Sequence, residues 1–136
     1  MNLDDIIHSF GLVPEGEEKY VYIIELGRGL PPYPDGKRTE ENSVAGCAAS
    51  VWMDAGIGAD GRWHFKFDSD AAIVKGLLYI ILAVFEGKTS REIKNLDISE
   101  LFGKIGLANH LTARRMSGLA SIVGKIRDMA AKAIKI

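Results

Sequence analysis

Arg62-Trp63-His64-Phe65-Lys66-Phe67-Asp68-Ser69-Asp70-Ala71-Ala72-Ile73-Val74-Lys75-Gly76-Leu77-Leu78-Tyr79-Ile80-Ile81-Leu82-Ala83-Val84-Phe85-Glu86-Gly87 changes its apolar period part-way along. Over 62–67 the period is two: Trp63, Phe65 and Phe67 fall on one face and Arg62, His64 and Lys66 on the other, which predicts a half-buried antiparallel strand. Beyond Asp68 the spacing becomes three and four. Ile73, Leu77, Ile80 and Val84 form one stripe with Leu78, Ile81 and Phe85 beside it, so a helix is expected over 70–86, capped by Asp68 or Ser69 and ended by Gly87. So much apolar surface implies burial on nearly all sides.

Upstream, Val51-Trp52-Met53 reads as a second strand, and Gly56, Gly58, Asp60 and Gly61 as the positive-φ positions of a hairpin turn. A short stretch around Ser43 to Ala45 is expected to add a third strand. Before it, Gly29-Leu30-Pro31-Pro32-Tyr33-Pro34-Asp35-Gly36-Lys37-Arg38 holds three prolines, which deny backbone donors, so it is an ordered loop or a hinge. Helices are expected over 3–10 and 15–27, the second opened by Pro14 with Tyr20, Ile23 and Ile24 facing the core. Downstream, Thr89 or Ser90 starts a short helix, and Asp97 caps another that ends at Ile105 before Gly106. A long final helix follows Thr112, with Leu119, Ile122, Val123, Ile126, Met129 and Ala133 at three- and four-residue spacing. Strands grouped centrally with helices on both sides predict an α+β fold, a small antiparallel three-stranded sheet packed with helices.

At 136 residues the chain suits one core and one domain, 1–136. It is 47% hydrophobic and 26% charged, ordinary for a globular protein. A net charge of −1 provides no strong positive field, so nucleic acid is not an expected partner. That sum hides an asymmetry: residues 1–43 carry nine acidic and four basic side chains, residues 104–136 one acidic and seven basic. Two readings stand: solvated helix faces of opposite sign, or steering toward a charged partner. The apolar run from Leu77 to Phe85 is far below the roughly 20 residues a membrane helix needs. The acidic start Met1-Asn2-Leu3-Asp4-Asp5 is unlike a secretory signal, so a cytoplasmic protein is expected.

Glu86-Gly87-Lys88-Thr89 ends like a phosphate-binding loop, but the first glycine of that motif is replaced by Leu82, inside an apolar helix. His8, His64 and His110 are scattered with no ligand spacing, so no metal site or cofactor is expected. A single cysteine, Cys47, can form no internal disulfide and no clustered thiolate site. It lies in Ala45-Gly46-Cys47-Ala48-Ala49-Ser50, where small neighbours would let another protein reach the sulfur and Gly46 would free the backbone to swing it outward. By itself this leaves a buried structural thiol or a reactive one.

Four ordered blocks go further. Glu17-Glu18-Lys19-Tyr20 with Tyr22-Ile23-Ile24-Glu25-Leu26-Gly27, Asn42-Ser43-Val44 with Gly46-Cys47 and Val51-Trp52, Asp68-Ser69-Asp70-Ala71-Ala72-Ile73-Val74-Lys75-Gly76-Leu77, and His110-Leu111-Thr112 with Arg115 and Gly118-Leu119 together resemble the SufE family. These are sulfur-acceptor proteins that work with a pyridoxal-phosphate cysteine desulfurase. Ala48 and Ala49 depart from the polar residues that often follow the family cysteine, and Phe67 stands where glycine is expected before Asp68.

The resemblance implies a fold shared with IscU-type scaffolds and a sulfurtransferase-type accessory role. Cys47 would take sulfur from the desulfurase persulfide and pass it to a scaffold building iron–sulfur clusters. This chain has one cysteine where such scaffolds use three, which fits a carrier. Sulfur transfer needs an accessible thiolate and no resolving thiol beside it. The resemblance also points to Asp70, which would hold the cysteine loop or simply compensate helix charge. His110 and Arg115 would bind the partner or position the sulfur, or serve structure alone. The alternatives are a desulfurase-binding regulator that accepts no sulfur, a CsdE-like carrier to another acceptor such as tRNA modification, and a thiol-independent binding module.

Overall fold

Local capping chemistry starts most of the helices. In the computed structural model, which describes residues 2–134, α1 (Leu3–Leu12) begins at Asn2, whose side chain accepts the Asp5 N–H at 2.8 Å while the Asp5 carboxylate accepts the Asn2 N–H at 3.3 Å. Met1, Lys135 and Ile136, at the ends of the expected 1–136 domain, lie outside the described residues. Gly16 precedes α2 (Glu17–Gly27), so this helix starts later than predicted and Pro14 lies outside it. Its inward face is Lys19, Ile23 and Leu26, at four- and three-residue spacing. Tyr20, one position round, points out, contrary to expectation. The buried Lys19 ammonium donates to the Phe10 carbonyl and stands 4.2 Å from the Phe10 ring centre.

The Pro-rich segment is an ordered loop. Tyr33 is buried and its hydroxyl donates to the Lys37 carbonyl at 3.2 Å, the same oxygen that accepts from the Asn42 amide at 3.0 Å. Arg38 then ties the loop to Asp68 at 2.7 Å.

The sheet has two strands, β1 (Val51–Ile57) and β2 (Trp63–Ser69), antiparallel from Val51 opposite Ser69 to Ile57 opposite Trp63. The expected third strand around Ser43 to Ala45 is reduced to an isolated bridge between Ser43 and Trp52. The chain turns away at Ala45 and Gly46 after the Met53 N–H has donated to the Asn42 carbonyl and the Val44 N–H to the Val51 carbonyl, both at 2.9 Å. The hairpin turn is also narrower than predicted. Among its glycines only Gly61 takes a positive φ, and Gly56 lies within β1. Trp63, Phe65 and Phe67 stack along the buried face of β2, with successive ring centres 6.0 and 5.8 Å apart.

The helix after β2, α3 (Ala72–Phe85), begins two residues later than predicted because β2 runs on to Ser69. Asp68 and Ser69 are therefore not its caps. Asp68 receives Arg38 and Lys75, and the Ser69 hydroxyl donates to the Ser50 carbonyl at 2.7 Å. α3 packs on α2 on one side and β2 on the other. The α2–α3 crossing is so close that a Cβ on Gly76 would run into the Ile23 carbonyl, and one on Gly27 into the backbone of Lys75 and Gly76. Ile73, Leu77, Leu78, Ile80, Ile81, Val84 and Phe85 are all buried, as the apolar stripe predicts.

α4 (Ser90–Asn95) is capped by Thr89 and α5 (Ile98–Ile105) by Asp97, with Gly106 behind it. α6 (Ala113–Ala133) is capped by Thr112, which accepts the Arg115 N–H at 3.2 Å. Its buried side, including Leu119, Ile122, Val123 and Ile126, carries most of the predicted spacing. No helix of the described residues is long and apolar enough to cross a membrane.

Candidate functional site

Cys47 sits at the tip of the loop between the Ser43 bridge and β1, a loop pinched shut at its base by the Val44–Val51 hydrogen bond. The side chain is half-buried, and its Sγ lies 3.6 Å from the Gly118 carbonyl of α6, at the range of a weak thiol hydrogen bond. Burial pushes the Cys47 thiol above its ordinary pKa, so the resting group is the neutral thiol.

Three elements meet around the sulfur in a cavity of about 340 Å³. The cysteine loop gives Cys47, Ala48 and Ala49, α3 gives Val74 and Leu77, and the first three turns of α6 give Arg114, Arg115, Gly118, Leu119 and Ile122. The wall is apolar apart from the two arginines and Thr112. Among the described residues neither guanidinium is in an ion pair. The Thr112 cap determines this placement, because it starts α6 where Arg114 and Arg115 occupy the first turn.

Gly46 has φ near +88°, a left-handed conformation, and its open side faces Ser121 of α6. Asp70, in the link between β2 and α3, accepts the Ser50 N–H at 3.1 Å. It therefore grips the loop's C-terminal end. Of the residues singled out from sequence, Cys47 and Arg115 line one cavity, and Gly46 and Asp70 fix the loop that carries the thiol. His110 does not line that cavity. It packs edge-on to Phe10, with ring centres 5.7 Å apart, and its Nε2 lies 3.4 Å from Glu15.

Arg114, Val74, Leu77 and Ser121 were not foreseen as site residues, and Gly118 entered only through a family block. The one available signal was the glycine itself, set on the apolar stripe of the last helix beside Leu119 and Ile122, where a missing side chain marks close backbone approach. No group of three or more acidic, histidine or cysteine side chains among the described residues could hold a metal.

The family model for SufE, the Fe-S metabolism associated domain, matches residues 4–130. The chain belongs to the SufE family. SufE-like relatives are near in sequence. An uncharacterized SufE-like protein of Rhizobium meliloti (strain 1021) is 45% identical over 132 residues, covering 95% of this chain and 94% of its own. One from Rhizobium etli is also 45% identical over 132 residues, covering 95% and 89%. Among solved structures, the solution structure of a hypothetical protein from Thermus thermophilus superposes with a TM-score of 0.76 at 22% identity, over 97% of this chain and 95% of that one, and supports the α+β fold. SufE membership assigns the chain an accessory role in sulfur transfer, alongside a cysteine desulfurase.

Proposed function

We propose that Cys47 is a sulfur carrier: it takes persulfide sulfur from a pyridoxal-phosphate cysteine desulfurase, stimulates that enzyme by clearing its active-site cysteine, and delivers the sulfur to a scaffold for iron–sulfur cluster assembly in the cytoplasm. The observation that carries this reading is the setting of the only cysteine, on a closed loop at an apolar cavity flanked by two arginines, in a chain of this family.

The transfer balances without any oxidant. The Cys47 thiolate attacks the outer sulfur of the desulfurase persulfide, a new S–S bond forms at Cys47, the old one breaks, and the desulfurase cysteine leaves as thiolate. The thiol proton is released to solvent or to a base of the partner. Because burial favours the neutral thiol at rest, the reactive form arises when the loop leaves the cavity and the sulfur regains water. Arg115 and Arg114 border that path and favour an anionic sulfur near them. The absence of a second cysteine protects the cargo from release as sulfide.

The test is the intact mass of the protein, under non-reducing conditions, after incubation with a cysteine desulfurase and free cysteine. One added sulfur atom, removable by dithiothreitol and absent from Cys47→Ser, is the expected result. No added mass while the desulfurase turns over faster, with stimulation retained in Cys47→Ser, would overturn the carrier in favour of a regulator.

A further inference from the structure

We propose that Gly118 and Ser121 of α6 are positioning residues that seat the Cys47 loop, so that this one face of α6 sets how often the sulfur is presented to another molecule. The inference rests on the carrier reading for its purpose, but its geometry is independent of it.

The loop touches α6 at two successive points. At the first, the Gly118 carbonyl lies 3.6 Å from the thiol sulfur, and the space a side chain would take at Gly118 is held by the cysteine. A Cβ there would stand 3.6 Å from both the Cα and Sγ of Cys47 and 3.8 Å from its Cβ. One methyl group therefore fits in ordinary contact, and a branched side chain overlaps the cysteine.

At the second point, Ser121 fills the space beside Gly46. Its hydroxyl donates to the Ser117 carbonyl at 3.1 Å, which holds the oxygen in place, and a Cβ added to Gly46 would collide with it. Gly46 meets this contact in the left-handed conformation that glycine adopts without strain. The seat thus reads the loop's backbone at 46 and its thiol at 47, while the far end is held separately by Asp70.

Iodoacetamide alkylation of Cys47 in the folded protein, followed by intact mass across a pH series, tests this directly. In Gly118→Val we expect the alkylation rate to rise about tenfold as the exposed loop state gains population, and its pH midpoint to fall toward that of a free cysteine, with the melting temperature held within a few degrees. Gly118→Ala, which fits, is expected to stay within about twofold of the unsubstituted protein on the same grounds. Ser121→Leu acts through the other contact and decides the matter if Gly118→Val does not fold.

Folded Gly118→Val and Ser121→Leu proteins that alkylate at the original rate and pH midpoint would overturn the seat. The same preparations incubated with desulfurase and cysteine separate the two claims. Sulfur gained by the unsubstituted protein with flat alkylation in the variants sinks the seat and leaves the carrier. Faster alkylation in the variants, with no sulfur gained by any protein, supports the seat and sinks the carrier.

Discussion

Asp70 holds the C-terminal end of the Cys47 loop twice over: its carboxylate accepts the Ser50 N–H at 3.1 Å and its own N–H donates to the Ser50 carbonyl at 3.4 Å, with the side-chain bond at an exposed position where water can take over either partner. Asp70→Ala removes only the side-chain bond, leaving the Ser50 carbonyl held by the Asp70 N–H and the Ser69 hydroxyl, so it should spare the fold and loosen the loop, raising the Cys47 alkylation rate a few-fold; Asp70→Asn keeps a carbonyl oxygen for the Ser50 N–H and should remain close to the original rate. The other reading of Asp70, compensation of helix charge, makes the opposite forecast: both variants lower the melting temperature alike and neither changes alkylation. Cys47 was legible as a candidate because a lone thiol among small residues is a local feature of the chain. Its seat was not, because Gly118 and Ser121 lie some 70 residues away, and nothing in the spacing of one helix states which loop will rest on it.

The hairpin end is fastened to the end of α3 by His64. Its Nδ1 lies 2.6 Å from Glu86, its Nε2 3.1 Å from Asp60, and the other Glu86 oxygen accepts the Phe65 N–H at 2.8 Å. Hydrogen bonding to Glu86, then to Asp60, raises the His64 pKa in the folded protein. A raised folded value means that the clamp's contribution is fully present below the ordinary histidine range and is lost as pH rises through the folded value. Asp60, lowered by the Arg62 N–H and then by His64, sets the acid limit, its share fading as pH falls through the lowered value. His64→Gln should thus cost more melting temperature near about pH 5.5 than near about pH 9; a gap that is constant with pH would refute the clamp. The α2–α3 crossing yields a steeper forecast. Gly76→Ala forces a methyl into the Ile23 carbonyl and should cost about 3 kcal/mol in urea denaturation, since neither backbone can move without unpacking a core helix. These elements were largely readable because their signals are local: Thr89, Asp97 and Thr112 each cap the helix expected from them. The third strand failed because pairing is not local. Ser43, Val44 and Ala45 have strand-like neighbours, yet only one bridge forms before the chain must turn to present Cys47.

The acidic and basic ends of the sequence acquire a location once folded. Arg114 and Arg115 border the Cys47 cavity at the start of α6, so a partner approaching the thiol meets these two basic side chains. Charge of this kind alters encounter rates more than the strength of the final contact, and salt screens it over about 8 Å at physiological ionic strength. The two readings of the asymmetry, solvated faces or steering, now differ measurably. If it steers, Arg114→Glu combined with Arg115→Glu should slow association with the desulfurase about tenfold at low salt, and the difference should shrink as salt is added. The melting temperature should barely change, because both side chains lie at the cavity rim outside the apolar core. Stopped-flow association at several salt concentrations reads both effects. Equal rates and equal salt slopes for the two proteins would return Arg114 and Arg115 to the status of solvated side chains, and would leave the approach to Cys47 governed by shape and by the release of its loop alone.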